Sequence, residues 1–222
     1  MNRNIEDLMP VVSGCFLFRN LPAHVLRSVI LPAGIIRTYG KGGIVLAQQE
    51  PLRQVGLVLT GELQQIYLFP DGNCIMHAIL APGEIPGLEL LYTHTRISPF
   101  QIESLTESEL FCLPVHLFLN PGSILEPYRL EIMEQLLTAV SNGSVRKDYR
   151  MTVLCRKGLR ERIMTYLHMQ AKKRSTNSFS IPFNREEMAS FLSVDRSALS
   201  HELSLMQQEG LIRFRKNRFT LL

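Results

Sequence analysis

Four polar residues in the C-terminal third have side chains and spacings suited to reading the base edges of duplex DNA: Arg196, Ser197, Ser200 and His201. On a helix over 195–207 they lie on the outward face near the N-terminal end, the part of a recognition helix that enters the major groove. Arginine is suited to the paired acceptors of guanine, and serine hydroxyls can bond to several bases. We therefore predict a base-reading surface here.

The elements around these residues have the spacing of a helix-turn-helix. Apolar residues recur at helical intervals on a first helix and on a second, with a turn at Ser193-Val194 between them. Asp195 is a favourable N-cap for the second helix, because its carboxylate can accept hydrogen bonds from backbone N–H groups of the first turn. The apolar positions are Met188, Ala189 and Leu192, then Leu199, Leu203 and Met206. Spacing alone also allows an ordinary amphipathic helical hairpin.

Charge favours the DNA-reading interpretation. Residues 145–222 carry 16 Lys and Arg against 7 Asp and Glu, a formal charge of +9, whereas residues 1–144 carry 8 against 13, a formal charge of −5. This confinement of positive charge to the helix-turn-helix segment is typical of a protein that binds a phosphate backbone. An ordinary solvated basic face does not explain it.

The last eleven residues, 212–222, predict a basic β-hairpin, the wing. Apolar residues at Ile212, Phe214, Phe219 and Leu221 face one way, and the turn falls at Lys216-Asn217. Basic side chains on the other face of such a wing can lie along phosphates. The candidate phosphate contacts are Arg185, Arg213, Arg215, Lys216 and Arg218.

The N-terminal half predicts an antiparallel sandwich or roll. Between residues 35 and 114, short runs that alternate apolar and polar residues are separated by turns. Asp71-Gly72, between two such runs, is a strong hairpin signal. We assign residues 1–126 to this domain, a dimerisation helix to 127–155 and the DNA-binding domain to 156–222.

The segment between the domains predicts one long helix from Pro127 to about Leu154. Apolar residues alternate spacings of three and four along it, as in the seam of a two-stranded coiled coil, although a helix packed on a core would share this short pattern. Asn142-Gly143 weakens the helix interior. Gly158 ends the pattern, and we place a hinge at 156–158. The candidate dimer contacts are Leu130, Met133, Leu137 and Val140.

The remaining patterns exclude several classes of protein. No run reaches the length of a membrane span, and the N-terminus lacks the succession of a signal peptide, so we expect a cytoplasmic protein. The four cysteines are far apart, so we predict no metal or iron–sulfur site and four free thiols. No nucleophile–base pair or phosphate-cradling loop of adequate specificity is present, so we predict no enzyme activity.

The order and motifs of the chain resemble the Crp/Fnr family of bacterial transcription regulators, from about Phe16 to Leu222. The specific part is NREEMASFLSVDRSALS in the C-terminal third, and GLVLTGELQQIYLFPDGNCIMHAILAPGE resembles the cyclic-nucleotide-binding roll. The resemblance implies an α+β chain: an N-terminal antiparallel β-roll, a long dimerisation helix and a C-terminal winged helix-turn-helix. It also implies a homodimer on double-stranded DNA, with RNA polymerase as a candidate partner.

Family members that bind a cyclic nucleotide do so at the segment that begins here at Gly83. That site uses backbone N–H groups and a charge-assisted arginine contact. The early part of the pattern matches, but Ser98 and Pro99 stand where the arginine and its small neighbour are expected, and Pro99 lacks a backbone donor. The candidate effector residues are Gly83, Glu84, Gly87, Arg96 and Ser98.

These departures argue against a cyclic nucleotide, and no second ligand accompanies His77, His94 or His116 to favour haem. We predict no cofactor, and leave open a different small effector or a purely structural roll.

The sequence therefore predicts a homodimeric regulator that reads a near-palindromic DNA site, with Arg196 as the guanine-reading residue in the family pattern. The alternative is a small-ligand sensor module whose helix-turn-helix contacts protein rather than DNA.

Overall fold

The computed structural model describes residues 5–222, with side chains from residue 7 onward. Residues 1–4, which begin both the predicted 1–126 domain and the N-terminus in which no signal peptide was expected, lie outside the described residues. The described chain forms two compact units, one ending at Val140 and the other covering Ser141–Leu222. The helices are α1 (Ile5–Gly14), α2 (Ala23–Val25), α3 (Leu31–Ala33), α4 (His116–Leu119), α5 (Arg129–Leu154), α6 (Leu159–Arg174), α7 (Arg185–Leu192) and α8 (Arg196–Gln208).

The N-terminal unit is the predicted antiparallel roll. One sheet has the strand order β1-β7-β3 and the other β2-β6-β4-β5, and every neighbouring pair is antiparallel. The apolar faces of the strands, together with α1 and the helical segment 23–33, form one core. The strands are β1 (Ile35–Tyr39), β2 (Ile44–Leu46), β3 (Gln54–Thr60), β4 (Leu63–Leu68), β5 (Cys74–Leu80), β6 (Gln101–Ser104) and β7 (Ser108–Pro114).

The hairpin predicted at Asp71-Gly72 connects β4 and β5 and is confirmed. Gly72 has a left-handed φ of +84°, a conformation open to glycine at little cost. The Asp71 carboxylate accepts a hydrogen bond from Asn73 N at 3.0 Å, which closes the turn locally. That hydrogen bond and a second one from the Asn73 side chain lower the pKa of Asp71.

The long helix starts two residues later than predicted. Pro127 lies in a 3-10 turn over Glu126–Tyr128, and α5 follows at Arg129. Proline fits this turn because it has no N–H to leave unpaired. The helix runs unbroken through Asn142-Gly143, and it ends at Leu154, before the segment 155–158 that leads to α6.

The C-terminal unit has its own core and a small sheet. The sheet has the order β8-β10-β9, in which β10 pairs antiparallel with both neighbours. The helix α6 packs against α7, α8, β8 and β10. The strands are β8 (Ser178–Ser180), β9 (Ile212–Arg215) and β10 (Arg218–Leu221). This is the predicted winged helix-turn-helix arrangement. Among the described residues, no helix is long and apolar enough to cross a membrane.

Candidate nucleic-acid interface

A reciprocal cap fixes the start of α7. The Asn184 side chain accepts hydrogen bonds from Glu186 N and Glu187 N, each at 2.9 Å, and the Glu187 carboxylate accepts one from Asn184 N at 2.7 Å. Such a capping box pairs backbone donors that the helix itself cannot use. Its sequence signal, Asn followed three residues later by Glu, is present in NREE but was not among the predicted features.

The turn between α7 and α8 lies at the predicted residues. Ser193 adopts a left-handed conformation, with φ of 55°, and Val194 N donates to Ala189 O at 3.1 Å. This geometry ends α7 and redirects the chain. The helix α8 begins at Arg196 and ends at Gln208, so both ends lie one residue later than predicted.

Asp195 occupies the N-cap position of α8, but the expected side-chain cap is wrong. Its backbone is extended, as a cap requires, and its carbonyl accepts the first helical bond from Leu199 N at 3.0 Å. Its carboxylate, however, accepts no hydrogen bond from the first turn. An N-cap can hold the helix start through backbone conformation alone, and exposed donors of the first turn can bond to water.

The apolar stripes of α7 and α8 are buried together as predicted. Met188, Leu192, Leu199, Leu203 and Met206 are each fully buried, and Ala189 is nearly so. Their burial fixes which face of α8 remains outside the core.

The outward face of α8 brings the four predicted base-reading residues together. Arg196, Ser197 and His201 are exposed and Ser200 is half-buried. Within the part of the chain that the structure describes, none of the four side chains makes a hydrogen bond or an ion pair. Their donors and acceptors are therefore available to an external partner. Ser204, one turn further on, instead donates its hydroxyl to Ser200 O at 3.0 Å.

The wing presents its positive charge at the tip. Phe214 and Phe219 stack on the inward face, with ring centroids 5.7 Å apart, while the basic side chains of the hairpin are exposed. Arg215 and Arg218 are directly opposite each other across the strands, and Lys216 stands in the turn with φ of 54°. Like charges at opposed positions repel, so a bound anion would relieve a repulsion that the free protein retains.

Arg185 has a role that the sequence did not reveal. Its guanidinium lies 4.9 Å from the ring centroid of Phe214 and 5.8 Å from that of Phe219, and it donates to Lys216 O at 3.3 Å. Burial lowers the pKa of Arg185, and these contacts attach the first residue of α7 to the wing. Of the predicted phosphate contacts, Arg185 is therefore half-buried and bonded to protein, and the other four are exposed.

Arg160 holds α8 in place. It donates to the Glu202 carboxylate at 2.6 Å and makes a two-pronged contact with the Glu209 carboxylate at 2.6 and 2.8 Å. These hydrogen bonds, to Glu209 first and Glu202 second, raise the pKa of Arg160. Such planar paired contacts fix orientation, and here they connect the start of α6 to the middle and end of α8.

Two further arginines close the C-terminal end of α7. Arg150 of α5 donates to Phe191 O and Ser190 O, each at 3.1 Å, and Arg162 of α6 donates to Leu192 O at 3.3 Å. Cations at a helix C-terminus satisfy unpaired carbonyls and oppose the negative end of the helix dipole. Sequence reasoning missed these arginines, because their partners lie 30 or more residues away.

The candidate effector residues of the roll have mostly internal partners. The Glu84 carboxylate accepts a hydrogen bond from Ala81 N at 2.8 Å, and the fully buried Ser98 donates its hydroxyl to Phe100 O at 2.6 Å. Gly83, Gly87 and Arg96 have left-handed backbones. Arg96 O also accepts a hydrogen bond from Leu52 N at 2.9 Å. The roll also has an open cleft beside Arg37, Tyr39 and Cys112, and its lining does not include any of these five residues.

The candidate dimer contacts are exposed on α5. Leu130 is 69% exposed and Leu137 68%, while Met133 and Val140 are each more than 40% exposed. Ile132 on the same helix is instead buried in the core of the roll. Some apolar residues of α5 therefore pack in the core, and the others form a stripe that is exposed to solvent in the monomer. Contiguous exposed apolar surface of this kind is unusual in a protein that remains monomeric.

Comparison with known proteins agrees with this architecture. The cyclic nucleotide-binding domain matches residues 36–120, and the Crp-like helix-turn-helix domain matches residues 161–222. The transcriptional activator protein FnrA of Stutzerimonas stutzeri is 26% identical over 182 residues, and the match covers 79% of this chain and 72% of FnrA. The chain belongs to the Crp/Fnr family of transcription regulators.

Solved structures share the fold. The catabolite activator protein of Thermus thermophilus is 19% identical with a TM-score of 0.56, and the match covers 93% of each chain. The c-di-GMP responsive global regulator CLP of Xanthomonas campestris also gives a TM-score of 0.56 at 19% identity, covering 86% of this chain and 95% of CLP.

Proposed function

We propose that this regulator binds double-stranded DNA as a homodimer and reads a near-palindromic site with the outward face of α8. The observation that carries the proposal is the free outward face itself. Four side chains converge there without a partner among residues 5–222: Arg196, Ser197, Ser200 and His201. They lie on a helix that Arg160 holds through the Glu202 and Glu209 carboxylates. Arg196 is the residue we expect to contact guanine, since its guanidinium suits the O6 and N7 acceptors of that base.

The wing supplies the second part of the proposed contact. Arg213, Arg215, Lys216 and Arg218 would lie along the phosphates, and Arg185 would hold Lys216 in position through the backbone. Phosphate contacts set affinity and orientation, whereas base contacts set sequence preference. The proposal therefore assigns sequence preference to α8 and most of the salt dependence to the wing.

Dimerisation would place two copies of α8 on one face of the duplex. The exposed stripe from Leu130 to Val140 has the seam spacing of a two-stranded coiled coil, and pairing would bury it. A two-fold symmetric dimer places its two recognition helices in successive major grooves, so the half-sites should lie about one DNA turn apart. In this scheme residues 1–126 form the roll, 127–155 the dimerisation helix and 156–222 the DNA-binding domain, with the hinge at 156–158.

Titration of the full-length protein into labelled duplex DNA of random sequence tests DNA binding as such. At low salt we expect binding that weakens steeply as salt is raised, because counterions are released from each neutralised phosphate. Single-stranded DNA of the same length serves as the comparison. Absence of duplex binding at low salt would favour the alternative in which the helix-turn-helix contacts a protein.

A further inference from the structure

The roll contains a cleft of about 330 Å³ that the proposed DNA-reading function does not use. Its buried wall is apolar and includes Leu52, Ile102 and Leu110, which come from three different segments of the roll. Small-molecule sites have volumes upward of about 300 Å³ and combine apolar walls with a few polar groups. The cleft therefore has the size and lining for a small ligand.

A glycine creates part of this space. Gly56 lies inside β3, where a Cβ atom would stand 3.0 Å from Leu110 Cδ2 and 3.4 Å from Cys112 Sγ. A glycine in a strand interior loses packing and often marks a place where another group comes close. A larger side chain at this position would intrude on the wall that Leu110 and Cys112 form.

The rim of the cleft has a net positive charge. Arg37 and Arg53 are exposed there, and the only carboxylate of the lining is that of Glu50. Neither guanidinium has a hydrogen-bond or ion-pair partner within residues 5–222. Two arginines without partners beside one carboxylate leave a surplus of planar donors that match an oxyanion.

Arg37, Tyr39 and Cys112 face the same space. Burial raises the pKa of Cys112 to about 11 and outweighs the positive charge of Arg37, which lowers it, so the thiol is neutral at pH 7. Burial likewise raises the pKa of Tyr39, against a smaller opposing effect of Arg37. The Tyr39 hydroxyl makes no hydrogen bond to any described residue. It is thus a further free donor at the lining.

We propose that this cleft binds a small organic anion. The apolar part of this anion would pack against the wall formed by Leu52, Ile102 and Leu110. Its oxyanion would accept hydrogen bonds from Arg37 and Arg53 at the rim. Pro86 of the segment 83–98 lines the cleft, but the five candidate effector residues of that segment do not. This binding does not depend on whether the C-terminal unit contacts DNA.

The test uses 2-naphthoate and its neutral amide, 2-naphthamide, as a matched pair. The chain contains no tryptophan, so naphthalene fluorescence can be followed without that background. For a ligand of this size we expect 2-naphthoate to bind the full-length protein with a Kd of about 1 mM or tighter. We expect the amide to bind about tenfold more weakly, because it lacks the charge-assisted contact.

Variants locate the site. The double change Arg37→Gln/Arg53→Gln should weaken 2-naphthoate about tenfold or more and leave the amide nearly unchanged. Gly56→Val should weaken both probes by filling the cleft. Lys41→Gln removes one positive charge elsewhere in the roll and should change neither. Because Arg37 and Arg53 are exposed, their variant should fold even if Gly56→Val does not.

Three results would overturn the proposal. The first is no saturable 2-naphthoate binding up to about 10 mM, well above the expected Kd. The second is equal affinity for the acid and the amide. The third is a loss of 2-naphthoate binding in Arg96→Gln as large as that in Arg37→Gln/Arg53→Gln, which would move the anion site to the segment 83–98.

Discussion

The two units differ in whether the polar side chains at their motif positions are already hydrogen-bonded within the protein. On α8, Arg196 and His201 are exposed and make no bond within the described chain. In the roll, Glu84 bonds to Ala81 N and Ser98 is buried against Phe100 O. A polar group that already has a partner must lose it before it binds a ligand, so its net gain is small. A free polar group, more than a matching motif position, therefore indicates where an external partner binds.

The largest effect is expected from a variant that disrupts the proposed homodimer. Leu137→Glu places a charge in the exposed stripe of α5, where pairing would bury it. We expect a monomer in sedimentation experiments and a loss of affinity for a palindromic duplex of about 100-fold or more, since the second half-site no longer gains from linkage. Tyr149→Glu, at a similarly exposed position off the seam, is the matched control. A fully active Leu137→Glu dimer would remove the stripe from the interface.

The next largest effect is expected when positive charge is removed from the wing rather than from the roll. Lys216→Gln/Arg218→Gln should weaken binding to all duplexes. In the dimer it removes two phosphate contacts from each copy, so the slope of log K against log salt should fall by about 3.6, or about 0.9 for each phosphate that is no longer neutralised. Lys41→Gln removes a positive charge from the roll and should leave the slope unchanged. If the slope is the same in the wild type and both variants, the wing does not contact phosphates.

Arg196→Ala tests the free face of α8 directly. We expect a loss of about 1–3 kcal/mol on the preferred site and a relaxed preference at one base position. Ser204→Ala is the control on the same helix, because the Ser204 hydroxyl is already bonded to Ser200 O. Equal behaviour of the two variants in a base-substitution series would contradict the distinction between free and bonded polar groups.

The smallest effects are expected in the segment 83–98. Ser98→Ala removes a buried hydrogen bond and should lower the free energy of unfolding by about 1 kcal/mol. It should not change DNA affinity, and millimolar cyclic AMP should not change it either. Chemical denaturation and DNA titration of the same variant check both parts. A rise in the DNA affinity of the wild type on adding cyclic AMP, absent from Ser98→Ala, would show that Ser98 exchanges its internal bond for the nucleotide.

Much of the fold could be predicted because its signals are local. The 3.6-residue period placed Leu199, Leu203 and Met206 in the core, and Asp71-Gly72 marked the β4–β5 turn. The cap at Asn184 could also have been predicted from its spacing to Glu187.

The rest depends on contacts between distant residues. Arg160 donates hydrogen bonds to Glu202 and Glu209, which lie 42 and 49 residues later in the chain, and no local sequence pattern predicts these contacts. The cleft of the roll combines side chains from separate strands, so the arginines at its rim could not be assigned to one site from spacing. The carboxylate of Asp195 shows the converse, since a favourable residue at a cap position need not make the cap bond.

Selection of binding sites from random duplex DNA, with the purified full-length protein and no added ligand, is the decisive experiment for DNA reading by α8. We expect enrichment of a near-palindrome whose half-sites lie about one DNA turn apart, with a strongly preferred guanine in each half. We expect Arg196→Ala to lose this guanine while keeping the spacing. Recovery of no enriched sequence at modest salt would contradict the proposal that the free face of α8 reads DNA.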